Sequence, residues 1–285
     1  MTFSTEILID GYVSRYANLA GGALLFYDYL LTLDDEIEFI WKKQWSIGKA
    51  LFIMSRYYPL IATVVLYFIF TNQLDNSPFW KSDNISIQYG KWQGWSGLAT
   101  CMLVETILQM RLYALYFLNK KILLLMVISF VVSSGSTALV LVKLYIGHIT
   151  VQPEIPFCLP TLPAYCYAVW IPRLAFDTFL CVLALARGFQ LACNEHGSSE
   201  YTIPSGKHLI TVLIKDCIGS YLMMFAIYLT FLTIWARNAN LIETCFNLSI
   251  GFQSIVGTRT ILGIRKVIQN DGSEVSPSMA NDMLR

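Results

Sequence analysis

Charge is scarce in this sequence. Lys, Arg, Asp and Glu make up 14% of the 285 residues, against about 25% in an ordinary soluble domain. The 20 basic residues nearly cancel the 19 acidic ones, leaving a net charge of +1. That excludes the basic face a nucleic-acid binder needs. With 55% hydrophobic residues, too little polar surface remains to cover a water-soluble core, and the composition is far from that of a disordered chain. Histidine is rarer still. His148, His196 and His208 are too few and too scattered for a clustered intramembrane metal centre or a zinc site, so no metal and no cofactor is expected. There is no G-x-x-x-x-G-K phosphate loop and no G-x-S-x-G elbow. The last apolar stretch has no lysine on which to carry retinal. Seven cysteines scattered between Cys101 and Cys245 do not make the dense framework of a disulfide miniprotein.

Apolar length is abundant, and the mean hydropathy is +0.54. A bilayer core about 30 Å thick needs roughly 20 apolar residues in a helix. Residues 122–142 and 217–236 meet that without a charge, and residues 50–70 meet it with Arg56 alone. Residues 97–118 and 164–186 are long enough but carry ionisable groups. Two further stretches are more polar: 12–33 with Arg15 and Asp28, and 239–262 with Glu243, Asn247, Gln253 and Arg259. Helices that face a bundle interior tolerate such residues. The expected fold is all-α, a seven-transmembrane helix bundle over residues 1–268 with spans at 12–33, 50–70, 97–118, 122–142, 164–186, 214–236 and 239–262. A polar tail, 269–285, is expected to be disordered. No repeat or second domain is visible. The opening MTFSTEILIDGY has no basic stretch before an apolar core, so no cleaved signal peptide is expected.

Lysine and arginine set the orientation. Segments 34–49, 119–121, 187–213 and 263–285 hold ten of them, and the opposite side holds four, or five with Arg15. The N-terminus is therefore expected outside and the C-terminus in the cytosol, with the plasma membrane favoured over an endomembrane. Segment 71–96 brings Phe79, Trp80, Tyr89, Trp92 and Trp95 to the outer interface. It also carries Asn84-Ile85-Ser86, a candidate glycosylation site. Asn247-Leu248-Ser249 falls inside a span and is expected to stay unmodified. Cys101, Cys158 and Cys166 lie toward the outer side, and a bridge from Cys101 to either of the others is open.

The charges inside the apolar stretches fall into two sets. An inner layer comprises Asp28, Arg56, Arg111 and Asp216, each within roughly 10 Å of the cytosolic edge at 1.5 Å rise per residue. Matching depths suggest the pairs Asp28 with Arg56 and Arg111 with Asp216. The second pair would tie the third span to the sixth as a two-state element; the alternative is snorkelling or packing alone. An outer set comprises Glu105, Gln109, Arg173, Asp177 and Glu243. Glu105 and Gln109 share a helix face, Arg173 and Asp177 are spaced to pair within one helix, and Pro172 favours a kink. These groups could line a slightly acidic, outward-opening pocket for a cationic or hydroxylated small ligand, or form a polar network that only holds helices together. Between the first two spans, Ile37, Trp41 and Trp45 are spaced by four. That spacing predicts a short amphipathic helix on the inner membrane surface and a docking site for a cytosolic signalling partner.

The residues Tyr27-Asp28-Tyr29-Leu30-Leu31-Thr32-Leu33-Asp34-Asp35-Glu36, then Ile40-Trp41 and Ser55-Arg56-Tyr57, resemble the signature of the fungal multi-pass membrane proteins grouped as domain of unknown function 6533. Arg111-Leu112-Tyr113-Ala114-Leu115-Tyr116 resembles their third span, and Lys215-Asp216 stands where they often show Arg-Asp. The signature covers roughly residues 16–58. The resemblance implies a seven-span protein of unassigned function, described as receptor-like by architecture. Family members often carry Phe-Cys where this chain has Phe79-Trp80, so an outer-loop disulfide does not carry over. Receptor-like sensing of a small outer ligand is the leading expectation and transport of a small molecule or ion the alternative. No catalytic constellation supports a membrane-embedded lipid-modifying enzyme, and the bilayer itself is the one certain partner.

Overall fold

Long apolar stretches satisfy their own backbone as helices, and in the computed structural model a long helix covers most of each expected stretch, while 32–33 and 116–118 fall beyond the ends of α1 and α4 and 164–169 is a 3₁₀ helix. The structure describes residues 2–72, 83–146, 150–151, 160–161, 164–195, 204–237 and 242–271. The long helices are α1 Thr2–Leu31, α3 Ile47–Asn72, α4 Asp83–Leu115, α5 Lys120–Ile146, α6 Trp170–Glu195, α7 Pro204–Arg237 and α8 Ile242–Asp271. Between α1 and α3 lie the short α2 Leu33–Glu36 and a π-helical turn, Ile37–Trp41. A 3₁₀ helix, Ala164–Val169, leads into α6. Among the described residues the only strands are a two-residue antiparallel pair, β1 Thr150–Val151 with β2 Pro160–Thr161. Four helical segments, Gly90–Leu115, Lys120–Leu144, Tyr165–Gln190 and Ile214–Arg237, are long and apolar enough to cross a membrane.

The helices overrun their apolar stretches. Residues 83–96, expected in a loop, form the first turns of α4, so Asn84, Trp92 and Trp95 are helical. Residues 269–271, expected in the tail, close α8. Phe79, Trp80 and Cys158 lie outside the described residues.

Many apolar side chains face outward while polar and charged ones are buried beside the apolar core. Leu124, Val131, Val132 and Leu139 of α5 and Leu222, Met223 and Leu229 of α7 are exposed, while Glu105, Arg173, Asp177 and Gln253 are buried. A water-soluble domain does the reverse. This distribution, with the four apolar helices, fits a multi-pass membrane protein.

α8 packs against α1, α3, α4 and α7, while α6 packs mainly against α7 and α5. α1 and α8 come close at glycine: a Cβ on Gly251 would sit 3.3 Å from the Gly21 carbonyl oxygen. Small residues allow such backbone contact in lipid, where no hydrophobic drive brings helices together. Between α6 and α7, the Trp170 ring packs on Tyr228, Phe231 and Trp235 at 5.5, 5.5 and 5.3 Å between centroids.

Proline acts differently at Pro172 and at Pro59. Pro172 is the third residue of α6, in the first turn, where the missing N–H is not needed. It falls just after the junction of the 3₁₀ helix with α6, not in mid-helix where the expected kink would arise. Pro59 lies inside α3 and removes the N–H that would bond the Ser55 carbonyl four residues earlier. Ser254 on α8 replaces it, its hydroxyl donating to Ser55 O at 2.8 Å. A backbone defect in one helix is thus repaired by its neighbour.

The α4–α5 turn is a Schellman closure: Leu118 N–H donates to Tyr113 O and Phe117 N–H to Ala114 O, both at 3.1 Å. Glycine usually takes such left-handed positions. Here Phe117 and Leu118 take them, at φ 51° and 60°, which strains bulky side chains. Arg187 of α6 braces the turn, its guanidinium 5.5 and 5.1 Å from the Tyr116 and Phe117 rings.

Candidate functional site

Two polar clusters occupy the interior among the described residues. The first is a corner formed by the end of α1, the α2 and π-helical turn, the start of α3 and the end of α8. Glu36 is fully buried, and Arg56 Nε of α3 pairs with its carboxylate at 2.7 Å. The Tyr57 hydroxyl donates to Glu36 at 2.7 Å and the Trp41 indole N–H at 3.0 Å. The Arg56 guanidinium also donates to Thr32 Oγ1 and to Tyr29 O, at 2.7 and 2.9 Å, and stacks 4.7 Å from the Tyr29 ring. Three donors and a matched cation are what a buried carboxylate requires.

The same corner is tied to α8. Arg259 Nε pairs with Asp28 Oδ1 at 2.7 Å, and Arg265 donates to the Phe39 carbonyl at 2.7 Å. Lys49 donates to the carbonyls of Trp41 and Lys43 at 3.3 and 3.0 Å. Its ammonium lies over the Trp41 and Trp45 rings. These cations take up carbonyls that the π-helical turn leaves free. Ile37, Trp41 and Trp45 are exposed together, as their spacing predicts, but helical structure ends at Trp41, and Trp45 follows in non-helical chain.

The expected pairing of the inner layer is therefore corrected. Asp28 pairs with Arg259 and Arg56 with Glu36, because α1 packs on α8 and the chain after α1 folds back to bring Glu36 under α3. Arg111 and Asp216 make no ion pair. Arg111 is buried against Cys217 and within reach of the Asp216 charge, and its guanidinium nitrogens have no hydrogen-bond partner among the described residues. Asp216 is exposed and leans toward Gly263 of α8, where an added Cβ would meet Oδ2 at 3.8 Å.

The second cluster joins α4 to α6. Arg173 Nη1 pairs with Glu105 Oε2, and Ser134 of α5 lies 3.5 Å from the same nitrogen. The within-helix pair of Arg173 with Asp177 does not form, because the guanidinium reaches across to α4. Both Asp177 oxygens lack a hydrogen-bond partner among the described residues, as do Glu105 Oε1, Gln109 Nε2 and Arg173 Nε and Nη2. Beside this cluster is a cavity of about 40 Å³, lined by residues that include Cys101, Thr137, Trp170, Arg173, Trp235 and Ser249. At 10–15 Å³ each it holds about three waters. Of the expected outer group, Arg173 alone lines it. Glu105, Gln109 and Asp177 are buried away from its wall, and for Glu243 only the backbone, in the first turn of α8, is described.

Cys101 donates its S–H to Gln253 Oε1 at 3.2 Å. Cys101 and Cys166 are both free thiols, so no bridge joins them. Among the described residues no group of three His, Cys, Asp or Glu side chains is placed to hold a metal ion.

A family model matches residues 16–61: a family of unknown function (DUF6533). The match supports membership of the DUF6533 family. No curated protein matches the chain. The DUF6533 stretch contains Asp28, Tyr29, Thr32, Glu36, Trp41, Arg56 and Tyr57, so nearly the whole corner is built from it. Only the α8 cations come from outside. Glu36 is the residue that reading by depth missed, because it lies beyond the apolar stretch of α1. Its presence with Arg56 in one short signature was the available signal. Ser249, Thr137 and Trp235, which line the cavity, carried no signal in the sequence, since each is an ordinary residue of an apolar helix.

Proposed function

We propose that this DUF6533 protein is a receptor-like signalling protein of the plasma membrane. In this reading all seven long helices cross the bilayer, with the N-terminus outside and the C-terminus in the cytosol. The observation that supports it is the double engagement of Arg173, which lines the cavity and also holds Glu105 of α4. An acceptor oxygen entering the cavity competes with Glu105 for that guanidinium and loosens the α4–α6 tie. The ligand this favours is a small hydroxylated compound, or the hydroxyl-bearing end of a larger one. It is not a cation, because the wall is almost wholly apolar and Arg173 is its one charged lining residue. Binding shifts the helix arrangement only by the difference in affinity between two arrangements. At the other end of the bundle, the exposed Ile37, Trp41 and Trp45 rest on the lipid surface or meet a cytosolic partner.

The test uses the full chain in lipid nanodiscs with ethylene glycol, glycerol and acetate as probes. One of them should raise the thermal midpoint of the wild type and fail to do so for Arg173→Gln. If no probe gives an Arg173-dependent shift, the cavity reading fails. Probe flux into proteoliposomes would favour the transport alternative. Accessibility of N- and C-terminal tags on intact cells tests orientation and the plasma-membrane assignment together.

A further inference from the structure

We infer that Glu105, Arg173 and Asp177 form a proton-binding site in which Asp177 carries one proton. The argument begins with a charge count. All three side chains are at most 1% exposed. Two carboxylates and one guanidinium leave one negative charge in an interior surrounded by lipid-facing helices. Such a group neutralises in preference to remaining a bare ion.

Geometry decides which acid is neutral. Glu105 holds the guanidinium directly. Asp177 makes no hydrogen bond and no ion pair with any described residue, although its charge and that of Glu105 fall on one another. Glu105 Oε1, also without a partner, is an acceptor left open on the facing helix. No second cation compensates. The titratable groups around Asp177 are Glu105 on α4, Cys181 on its own helix, and Tyr221 and Tyr228 on α7, with Cys101 of α4 beside Tyr228. From α5 the cluster receives the hydroxyl of Ser134. Arg111, about half a turn beyond the level of Asp177 on α4, directs its charge to Asp216, Cys217 and Tyr221 and makes no ion pair with Asp177. A metal cation is a poor substitute for the proton, because Asp177 does not line the neighbouring cavity, whose wall is almost wholly apolar.

The test counts protonated carboxyls by infrared spectroscopy on the full chain in nanodiscs at neutral pH, in H₂O and D₂O. The readout is the C=O stretch of the protonated acid in wild type minus variant spectra. The wild type should show one such group from this site. Asp177→Asn should lose it. Glu105→Gln should lose it too, because Asp177 then ionises against Arg173. Arg173→Gln should double the band, because both acids become neutral. A band that persists in both Asp177→Asn and Glu105→Gln overturns the proposal. So does its absence from the wild type, or its loss on adding sodium at constant pH. The two acid variants suffice if Arg173→Gln does not fold.

Discussion

Replacing Arg56 by Met tests whether the corner within the DUF6533 stretch is an ion pair that the fold depends on. Methionine keeps much of the length and removes the charge. Glu36, fully buried, then retains only the Tyr57 hydroxyl and the Trp41 indole as donors. Stranding one partner of a buried pair costs about 3–5 kcal/mol. The two remaining neutral donors put the expectation near the lower end of that range. The stacking of the guanidinium on Tyr29 at 4.7 Å adds about 1 kcal/mol. Met also leaves the Tyr29 carbonyl and Thr32 hydroxyl without their donor. The total loss is therefore about 4 kcal/mol. The assay is reversible unfolding of the full chain by SDS in mixed micelles, with tryptophan fluorescence as the probe. The double variant Glu36→Gln with Arg56→Met removes the stranded charge and should recover about 1–3 kcal/mol relative to Arg56→Met alone. An Arg56→Met protein within about 0.5 kcal/mol of wild type, or a strictly additive double variant, would refute the reasoning.

Two further predictions rest on backbone groups. Ser254→Ala removes the hydroxyl that satisfies Ser55 O across α3 and α8 and should cost about 1–3 kcal/mol. In a Pro59→Ala background the same change should be near neutral, because the restored N–H of residue 59 reclaims that carbonyl; an equal loss in both backgrounds would disprove the repair. Leu118→Gly relieves a left-handed residue at φ 60° and should raise stability by about 1 kcal/mol in the same unfolding assay; destabilisation would mean that the turn is not strained there.

Much of the architecture was legible because lipid imposes a simple rule. A stretch of apolar residues must close its backbone as a helix, so residues 122–142 and 217–236 could be placed by length and composition. Most polar residues within such stretches could be recognised as interior for the same reason: Asp28, Arg56, Glu105, Arg111, Arg173 and Asp177 are buried, while Asp216 and Arg259 are exposed. Their partners were not legible. Position along a helix fixes depth, but the direction in which a side chain points relative to other helices depends on which helices are neighbours and how each is rotated. Asp28 and Arg56 share a depth yet pair elsewhere, since α1 presents Asp28 to α8. The extra turns of α4 before residue 97 escaped the sequence because backbone satisfaction continues a helix past the end of its apolar run.

Sequence alone thus determined the medium, the placement of the apolar helices and the confinement of most of their scarce charge to the interior, because solvation energy depends on composition and linear extent. Tertiary structure decided that Glu36 meets Arg56, that Arg173 reaches Glu105 over Asp177, and that Ser254 repairs Pro59. Each of these depends on the azimuth and proximity of helices far apart in the chain, and those are set only when all the helices pack together.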